Sequence, residues 1–409
     1  MVDDRHSSAA ALTVALCFLG ALCEGFDVQA AGVAASGIGH DFHPAPNALG
    51  FFFGASGAGL MVGAVVGGFV ADRIGRKAVL VASLGTFGVF SLLTSLAPDM
   101  PSLTLARLLT GLGLGGAMPN LIALAADAST SRSRNSSIAA AYIGMPLGGV
   151  AASMVVFLSP LASWRVVFQI GGIAPLMVLP LMVLYLPRSK PAATVAASDA
   201  PKRARMSWVL FAERRALNTL LLWASFFLIV LTLHLMLNWL PFLLVGRGLL
   251  KGQAAMAQAG FNVGGAVTAL GVGALLDSKG RRIAIIATLA ILPVILYLIA
   301  VSPARIELLF GLAALLGGTI LAEQVIVYAV ASACYPTAAR GTGVGAAVAA
   351  GRLGSLAGPL FAASLLAAGR SPSQVLIGVL PIVVACGMLV GYLGWRELGP
   401  HTQNASRAA

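Results

Sequence analysis

The sequence predicts an all-α membrane protein in which twelve transmembrane helices form two pseudo-symmetric six-helix bundles. Composition is the first observation: 58% of the 409 residues are hydrophobic and 10% are charged, whereas about a quarter of the residues of a soluble domain are charged. A series of long apolar runs is the second, and an internal repeat is the third. This composition excludes a soluble globular enzyme, a disordered chain and a nucleic-acid-binding protein.

Twelve apolar runs are long enough to cross a membrane, since a helix needs about 20 apolar residues to span the hydrocarbon core. They cover residues 11–36, 48–71, 78–97, 102–126, 137–158, 166–186, 216–244, 253–276, 283–301, 306–334, 341–367 and 373–395. Several contain a proline, which membrane helices tolerate when neighbouring groups satisfy the freed backbone. No run alternates apolar and polar residues as a barrel strand does.

The net charge of +12 is explained by membrane topology. Most of the 26 Lys and Arg residues fall in inner segments when the N-terminus is placed inside. The positive-inside rule then predicts that both termini are cytoplasmic. The four cysteines lie within apolar runs, so they are interpreted as small buried hydrophobic residues, and no metal site is expected.

Two halves of the chain repeat each other. A polar, basic stretch, Pro187–Arg215, separates six runs from six, which predicts an N-terminal bundle at 1–186, a cytoplasmic linker at 187–215 and a C-terminal bundle at 216–409. After the second run comes Gly68-Phe-Val-Ala-Asp72-Arg73-Ile-Gly75-Arg76-Lys77, and after the eighth comes Gly273-Ala-Leu-Leu-Asp277-Ser-Lys-Gly280-Arg281-Arg282. Matched halves of this kind are typical of transporters that rock about a central site.

The first of these loops resembles the signature loop of the major facilitator superfamily, and the resemblance extends over essentially the whole chain. It implies the two-bundle fold of that superfamily, with loop residues that act in the conformational switch. Those residues are Gly68, Asp72, Arg73, Gly75, Arg76, Lys77, Asp277, Gly280, Arg281 and Arg340. Asp72 is expected to pair with cations of a neighbouring helix, and Gly75 to allow the tight turn. The alternative is a simple cluster of topogenic charges.

Away from their ends, the apolar runs contain five charged residues: Glu24, Asp27, Arg107, Glu323 and Arg352. Each costs about 2.5–3.5 kcal/mol at a helix centre, so such residues usually pair or line a pathway. Depth along the helices predicts two pairs, Asp27 with Arg107 and Glu323 with Arg352. Glu24 and Asp27 share one helix face, where two carboxylates do not ionise together easily. The three acids are therefore candidates for proton coupling, and a purely structural ion-pair network is the alternative.

Polar and aromatic side chains accompany these charges. Together with the two arginines they form the predicted substrate-binding set: Arg107, Arg352, Phe26, His234, Asn238, Gln258, Asn262 and Tyr328. Arg suits a carboxylate because its planar guanidinium offers two parallel donors. Each polar neighbour is also explained by a hydrogen bond between helices, and each aromatic residue by packing.

The segment Glu24-Gly25-Phe26-Asp27 resembles the first-span motif of the aromatic acid:proton symporters, usually Asp-Gly-x-Asp. Glu at the first position resembles the branch that transports 3-(3-hydroxyphenyl)propionate and related phenylpropionates. The resemblance implies a bacterial inner-membrane protein, a monomer, that imports a small aromatic carboxylate with protons as the coupling ion and no other cofactor. Glu24, Asp27, Arg107, Glu323, Arg340 and Arg352 are the residues that it implicates.

Two alternatives remain open from the sequence. A drug or metabolite antiporter of the same superfamily has Gly-Pro-x-x-Gly-Gly in its fifth span, and this chain has Gly144-Met-Pro146-Leu-Gly148-Gly149 with the proline displaced. An integral membrane enzyme or sensor is the other alternative, and no HExxH, Walker loop or Cys/His cluster in the sequence supports it. We therefore expect a transporter rather than an enzyme, with uptake as its direction.

Overall fold

The structure, a computed structural model, describes residues 2–130, 133–159, 161–187, 210–211, 215–276, 281–335 and 340–397. Those residues form thirteen helices. In chain order they are α1 (Val2–Phe42), α2 (Pro46–Ile74), α3 (Arg76–Leu96), α4 (Met100–Asp127), α5 (Arg134–Tyr142), α6 (Gly144–Leu158), α7 (Arg165–Tyr185), α8 (Ala216–Gly246), α9 (Lys251–Leu276), α10 (Arg281–Val301), α11 (Ile306–Cys334), α12 (Arg340–Ala367) and α13 (Pro372–Glu397).

The helices occupy the positions of the predicted apolar runs. Ten segments of them are long and apolar enough to cross a membrane, and residues 285–301 of α10 form a shorter apolar stretch. Helix α9, of 26 residues, lies where the eighth run is predicted. The all-helical membrane fold is therefore confirmed, while the count of twelve spans and the cytoplasmic termini stay predictions.

Two boundaries differ from the predicted runs. Helix α1 extends beyond residues 11–36 in both directions and ends just before Pro44, whose ring does not fit a helix interior. The fifth run is divided between α5 and α6 at Ile143. Pro146 has no amide hydrogen for the carbonyl of Tyr142, so the regular bond that would join the two helices is missing.

The chain forms two compact units. The first contains α1 to α7 together with residues 238–245 of α8 and the segment 250–259. The second contains 201–237, 246–249 and everything from Gly260 onward. Most of the predicted linker, residues 188–209 and 212–214, lies outside the described residues, so the predicted domain boundaries stay predictions.

Close helix contacts at glycine hold the first unit together. A Cβ on Gly111 of α4 would lie 2.1 Å from the Ser56 carbonyl oxygen of α2. A Cβ on Gly25 of α1 would lie 2.0 Å from the Met145 oxygen of α6. Small residues let membrane helices approach this closely and gain packing energy. The α2–α4 contact lies one turn from Arg107 on α4, so it also fixes the surroundings of that side chain.

The second unit repeats this packing scheme. A Cβ on Gly264 of α9 would lie 1.9 Å from the Ala314 oxygen of α11, and one on Gly354 of α12 would lie 2.3 Å from the Phe227 oxygen of α8. In each half the helix of the second apolar run thus packs against that of the fourth, and the helix of the first run against that of the fifth, which is α6 in the first half and α12 in the second. The internal repeat read from the loops is present in the helix contacts as well.

We expect Gly111→Ala to lower the free energy of unfolding by about 1–3 kcal/mol, because the added methyl group overlaps backbone that cannot move easily. Gly311→Ala is the matched control, since a Cβ at Gly311 has no heavy atom within 4 Å. Thermal unfolding of the two purified variants in detergent measures the difference. Equal stability of both would contradict the role assigned to the α2–α4 contact.

Candidate functional site

A buried ion pair lies at the centre of the first unit. Arg107 Nη1 of α4 donates to Asp27 Oδ2 of α1 at 2.7 Å, and both side chains are fully buried. Arg107 Nη2 also donates to the backbone oxygen of Asp27 at 3.1 Å. The pairing that depth along the helices predicts is therefore present.

Three further helices surround this pair. Ser91 of α3 donates through its hydroxyl to Asp27 Oδ1 at 2.6 Å and is 3.3 Å from the Phe168 carbonyl oxygen of α7. Ser56 of α2 accepts from Arg107 Nη2 at 3.4 Å, and the Phe168 ring centroid lies 5.5 Å from the guanidinium carbon. Sequence reasoning missed both serines, because a lone serine in an apolar run does not reveal which helix it faces.

One nitrogen of the Arg107 guanidinium makes no hydrogen bond with the described residues. Arg107 Nε is buried and has no hydrogen-bond partner among the described residues. A guanidinium carries five N–H donors, and an unsatisfied buried donor has a cost in free energy. Nε is therefore the guanidinium nitrogen that is left for a further acceptor.

The remaining predicted residues of α1 have different surroundings. Glu24 is buried, one helical turn before Asp27. Phe26 is buried too, and its ring lies against Gly171 of α7, where a Cβ would come within 3.3 Å of it. In this conformation the Phe26 ring packs between helices, and its predicted role in substrate binding stays a prediction.

A pair of amides lies outward of Asp27. Gln258 Nε2 donates to Gln29 Oε1 at 3.1 Å, and both side chains are buried within the first unit. The amide of Gln29 fits against Gly149 of α6, where a Cβ would fall 1.9 Å from its nitrogen. Gln29 was not among the predicted residues, although it lies two positions after Asp27. Asn238 is buried in the first unit and Asn262 in the second.

The second unit holds a buried acid of a different kind. Glu323 of α11 is 1% exposed, and neither carboxylate oxygen has a nitrogen or oxygen partner among the described residues. Its polar neighbour is the Cys386 thiol of α13, whose sulfur lies 3.6 Å from the Ser225 carbonyl oxygen. Cys386 and Ser225 were also missed, because an isolated Cys or Ser is unremarkable in an apolar run.

The predicted Glu323–Arg352 ion pair is wrong. No such pair occurs among the described residues, and Arg352 acts electrostatically on His234 and Tyr328 instead. Equal depth does not fix rotation about the helix axis: α12 packs its glycines against α8, which brings Arg352 toward His234 on that helix. Tyr328 meets Phe226 edge-to-face at 5.0 Å between centroids. The charge of Arg352 thus acts on two other predicted substrate residues, and Tyr328 packs on a ring that was not predicted.

The signature loop joins three helix ends. Arg76 at the start of α3 pairs with Asp127 at the end of α4, and Lys77 Nζ donates to the Leu186 oxygen just after α7 at 2.5 Å. Gly75 has a φ of 93°, which glycine tolerates, so it makes the turn between α2 and α3. Arg73 lies over the Phe69 ring at 4.1 Å, and Gly68 is on the open surface of α2.

The expectation for Asp72 is wrong, since among the described residues this exposed acid has no ion pair and Asp127 is the one that binds a cation. Of the second loop, Asp277 and Gly280 lie outside the described residues, and Arg281 is the first residue of α10. Arg340 is exposed at the start of α12. No group of His, Cys, Asp and Glu side chains in the described ranges is arranged to hold a metal ion.

The sequence profile of the Major Facilitator Superfamily matches residues 17–359. The chain belongs to the Major Facilitator Superfamily. It is therefore a multi-pass membrane transporter rather than an enzyme, and superfamily membership accounts for the repeated helix packing and for the signature loop.

Related transporters cover nearly the whole of this superfamily member. The chain is 42% identical to the 3-(3-hydroxy-phenyl)propionate transporter of Escherichia coli (strain K12) over 385 residues. The matched region covers 94% of each protein. It is 34% identical to the gallate transporter of Pseudomonas putida, over 90% of this chain and 88% of the relative. The predicted resemblance to aromatic acid transporters is confirmed.

Solved structures show the same fold at low sequence identity. A mutant of the nucleoside transporter NupG superposes with a TM-score of 0.78 at 13% identity, covering 93% of this chain and 99% of that one. A likeness at this identity establishes the architecture only.

We expect Ser91→Ala to lower the free energy of unfolding by about 1–3 kcal/mol, because it leaves one oxygen of the buried Asp27 carboxylate without its donor. Ser95→Ala is the matched control on the same helix, since among the described residues the Ser95 hydroxyl donates to the Leu92 oxygen of α3 and to no other group. Thermal unfolding of both variants, with uptake assays beside it, tests the assignment. A destabilisation of equal size in the two would show that Ser91 has no special role.

Proposed function

We propose that this protein imports a small aromatic carboxylate together with protons, by alternating access across the bacterial inner membrane, and that it does so as a monomer. The fully buried Asp27–Arg107 pair is the single observation that carries this proposal. The relatives named above transport aromatic acids, and the pair supplies what such a cargo needs: a fixed cation and an acid that can take up a proton.

An aromatic carboxylate requires a desolvated positive partner. Arg107 is fully buried, and its Nε retains an unused donor. A carboxylate with a guanidinium forms a bidentate, charge-assisted pair that is stronger than a neutral hydrogen bond. The ring of the substrate finds an aromatic surface at Phe168, whose ring centroid lies 5.5 Å from the guanidinium carbon of Arg107.

The need to keep the buried cluster electrically neutral links proton uptake to substrate binding. In the empty state Asp27 and Arg107 cancel each other. When the substrate anion binds Arg107, the cluster stays neutral only if Asp27 gains a proton. Both states that cross the membrane then avoid a net buried charge, which would be costly in this environment. The proton and the anion therefore enter together, and each favours the binding of the other.

Glu323 is a second proton carrier in this proposal. Its carboxyl group is buried in the second unit beside a thiol, without an ion-pair partner in the described part of the chain. A buried carboxylate charge without a cation is expensive. A protonation change at Glu323 would thus bias the second unit independently of the Asp27–Arg107 pair. Glu24, one turn from Asp27, is the remaining acid of the proposed coupling set.

We expect Asp27→Asn to abolish accumulation of 3-phenylpropionate driven by a pH gradient, because the variant cannot take up the proton that enters with the substrate. Exchange of internal for external substrate should persist, since Arg107 is then permanently free. Uptake into proteoliposomes measures both. Asp99→Asn is the control: Asp99 caps α4 through the Ser102 amide at 2.9 Å, and Asn caps equally well. Accumulation by Asp27→Asn at the parental rate, still abolished by a protonophore, would remove Asp27 from coupling.

We expect Arg107→Lys to weaken binding of 3-phenylpropionate about tenfold or more, because Lys retains the charge but lacks the planar fork. Arg352→Lys should impair turnover more than binding. Equilibrium binding to both purified variants at about pH 6 and pH 8 compares them, and the parent should bind more tightly at the lower pH because binding takes up a proton. If Arg352→Lys loses binding while Arg107→Lys retains it, the two arginines have the opposite roles.

A further inference from the structure

A cavity lies at the outer end of the first unit, away from the buried ion pair. It has a volume of about 330 Å³, is open on one side and is bordered by the ends of α1 and α6, the start of α7 and the first residue of α9. Asp41 borders it and lies 14 positions after Asp27 on α1, which at 1.5 Å per residue corresponds to about 21 Å along the helix. The cavity is thus separate from the Asp27–Arg107 site, on the side predicted to face the periplasm.

One wall of the cavity is apolar and rigid. Val33 and Val167 are buried side chains in its lining. Trp164, 5% exposed, stands on Gly37, where a Cβ would lie 2.8 Å from the Trp164 Cβ. Its indole nitrogen donates to Asp41 Oδ2 at 2.8 Å, so the ring is held in place. An apolar wall with a fixed aromatic plane suits an aryl or alkyl body rather than a hydrated ion.

The lining of the cavity contains one acid, Asp41, and one cation, Lys251. Asp41 is compensated by Arg165, whose Nη1 lies 3.4 Å from Oδ2. Lys251 also lines the cavity, and within the described ranges it makes no ion pair. It is the first residue of α9, where unpaired backbone N–H groups add partial positive charge. The remaining attraction is for an anion.

We propose that this cavity is a second binding site, on the entry side, for a small carboxylate with an aromatic or alkyl body. Lys251 takes the carboxylate, and the Trp164 wall takes the apolar part. The volume corresponds to about eleven water molecules, enough for a small aryl carboxylate and too little for a large ligand. The proposal rests on the proposed function, because it concerns the same class of substrate on its way to Arg107.

Uptake kinetics in proteoliposomes test the site with 3-phenylpropionate as the probe. We expect Lys251→Gln to raise KM about three- to tenfold with Vmax changed by less than about twofold, since it removes one partly exposed charge interaction. Lys251→Arg should stay within about twofold of the parent. Arg370→Gln, which removes an equally exposed cation outside the cavity, is the control and should leave KM unchanged. A parental KM in Lys251→Gln overturns the proposal.

Direct occupancy is measured by chemical labelling. In an Arg107→Lys background, 3-phenylpropionate should slow acetylation of Lys251 by an N-hydroxysuccinimide ester, as followed by mass spectrometry, and uncharged 3-phenylpropionamide should not. The labelling is repeated in nanodiscs of phosphatidylcholine with and without phosphatidylglycerol. This comparison distinguishes protection by the added carboxylate from protection by an anionic lipid headgroup. Protection by phosphatidylglycerol alone would identify a lipid site and overturn the proposal.

The outcome of these tests is distinct from that of the proposed function. A parent protein that takes up no aryl carboxylate refutes the proposed function itself. A parent that takes it up, with unchanged KM in Lys251→Gln and unprotected Lys251, refutes only the entry site.

Discussion

The burial of Asp27 with Arg107 is the constraint on which the first unit depends. Removing two charges from water is costly, and their attraction repays that cost only when geometry and further hydrogen bonds are good. Five helices meet this requirement together: α1 brings the acid, α4 the base, α2 and α3 the serine hydroxyls, and α7 a ring and a carbonyl. Any movement of one of these helices against the others therefore changes the geometry of the pair.

The internal repeat preserves packing and not charge. Glycine contacts recur between equivalent helices of the two units, because backbone approach is demanded by the architecture itself. The buried charges are arranged differently. Asp27 forms an ion pair with the Arg107 guanidinium, whereas the neighbour of Glu323 is the Cys386 thiol. Arg352 acts electrostatically on His234 and Tyr328. The two units therefore share their helix packing and differ in the chemistry of their buried charges. Two units with equal folds and unequal charges can respond differently to the same proton gradient.

The sequence predicts those features that depend on the length and composition of the apolar runs and on the depth of a charged residue along its helix. Sequence reasoning found the apolar runs and the Asp27–Arg107 pair, because a charge in an apolar run needs a partner at its own level. It failed for Glu323 and Arg352, since rotation about a helix axis is set by packing, here by the glycine face of α12 against α8. Ser91, Ser56 and Cys386 carry no sequence signal of their direction. The interruption at Ile143 was predictable, because Pro146 removes a specific backbone bond.

In the proposed transport cycle, the different surroundings of Lys251 and Arg107 account for both the capture and the release of an anion. Lys251 is exposed, so water and salt weaken its attraction, and an anion there exchanges quickly. Arg107 is fully buried, where the same charge attracts far more strongly. A site that strong would retain its ligand, were it not for Asp27, which competes for the same guanidinium. In the proposed cycle, loss of the proton from Asp27 restores the internal pair and displaces the substrate. On that proposal the acid that admits the anion when protonated expels it when deprotonated, so the direction of the proton gradient would set the direction of transport.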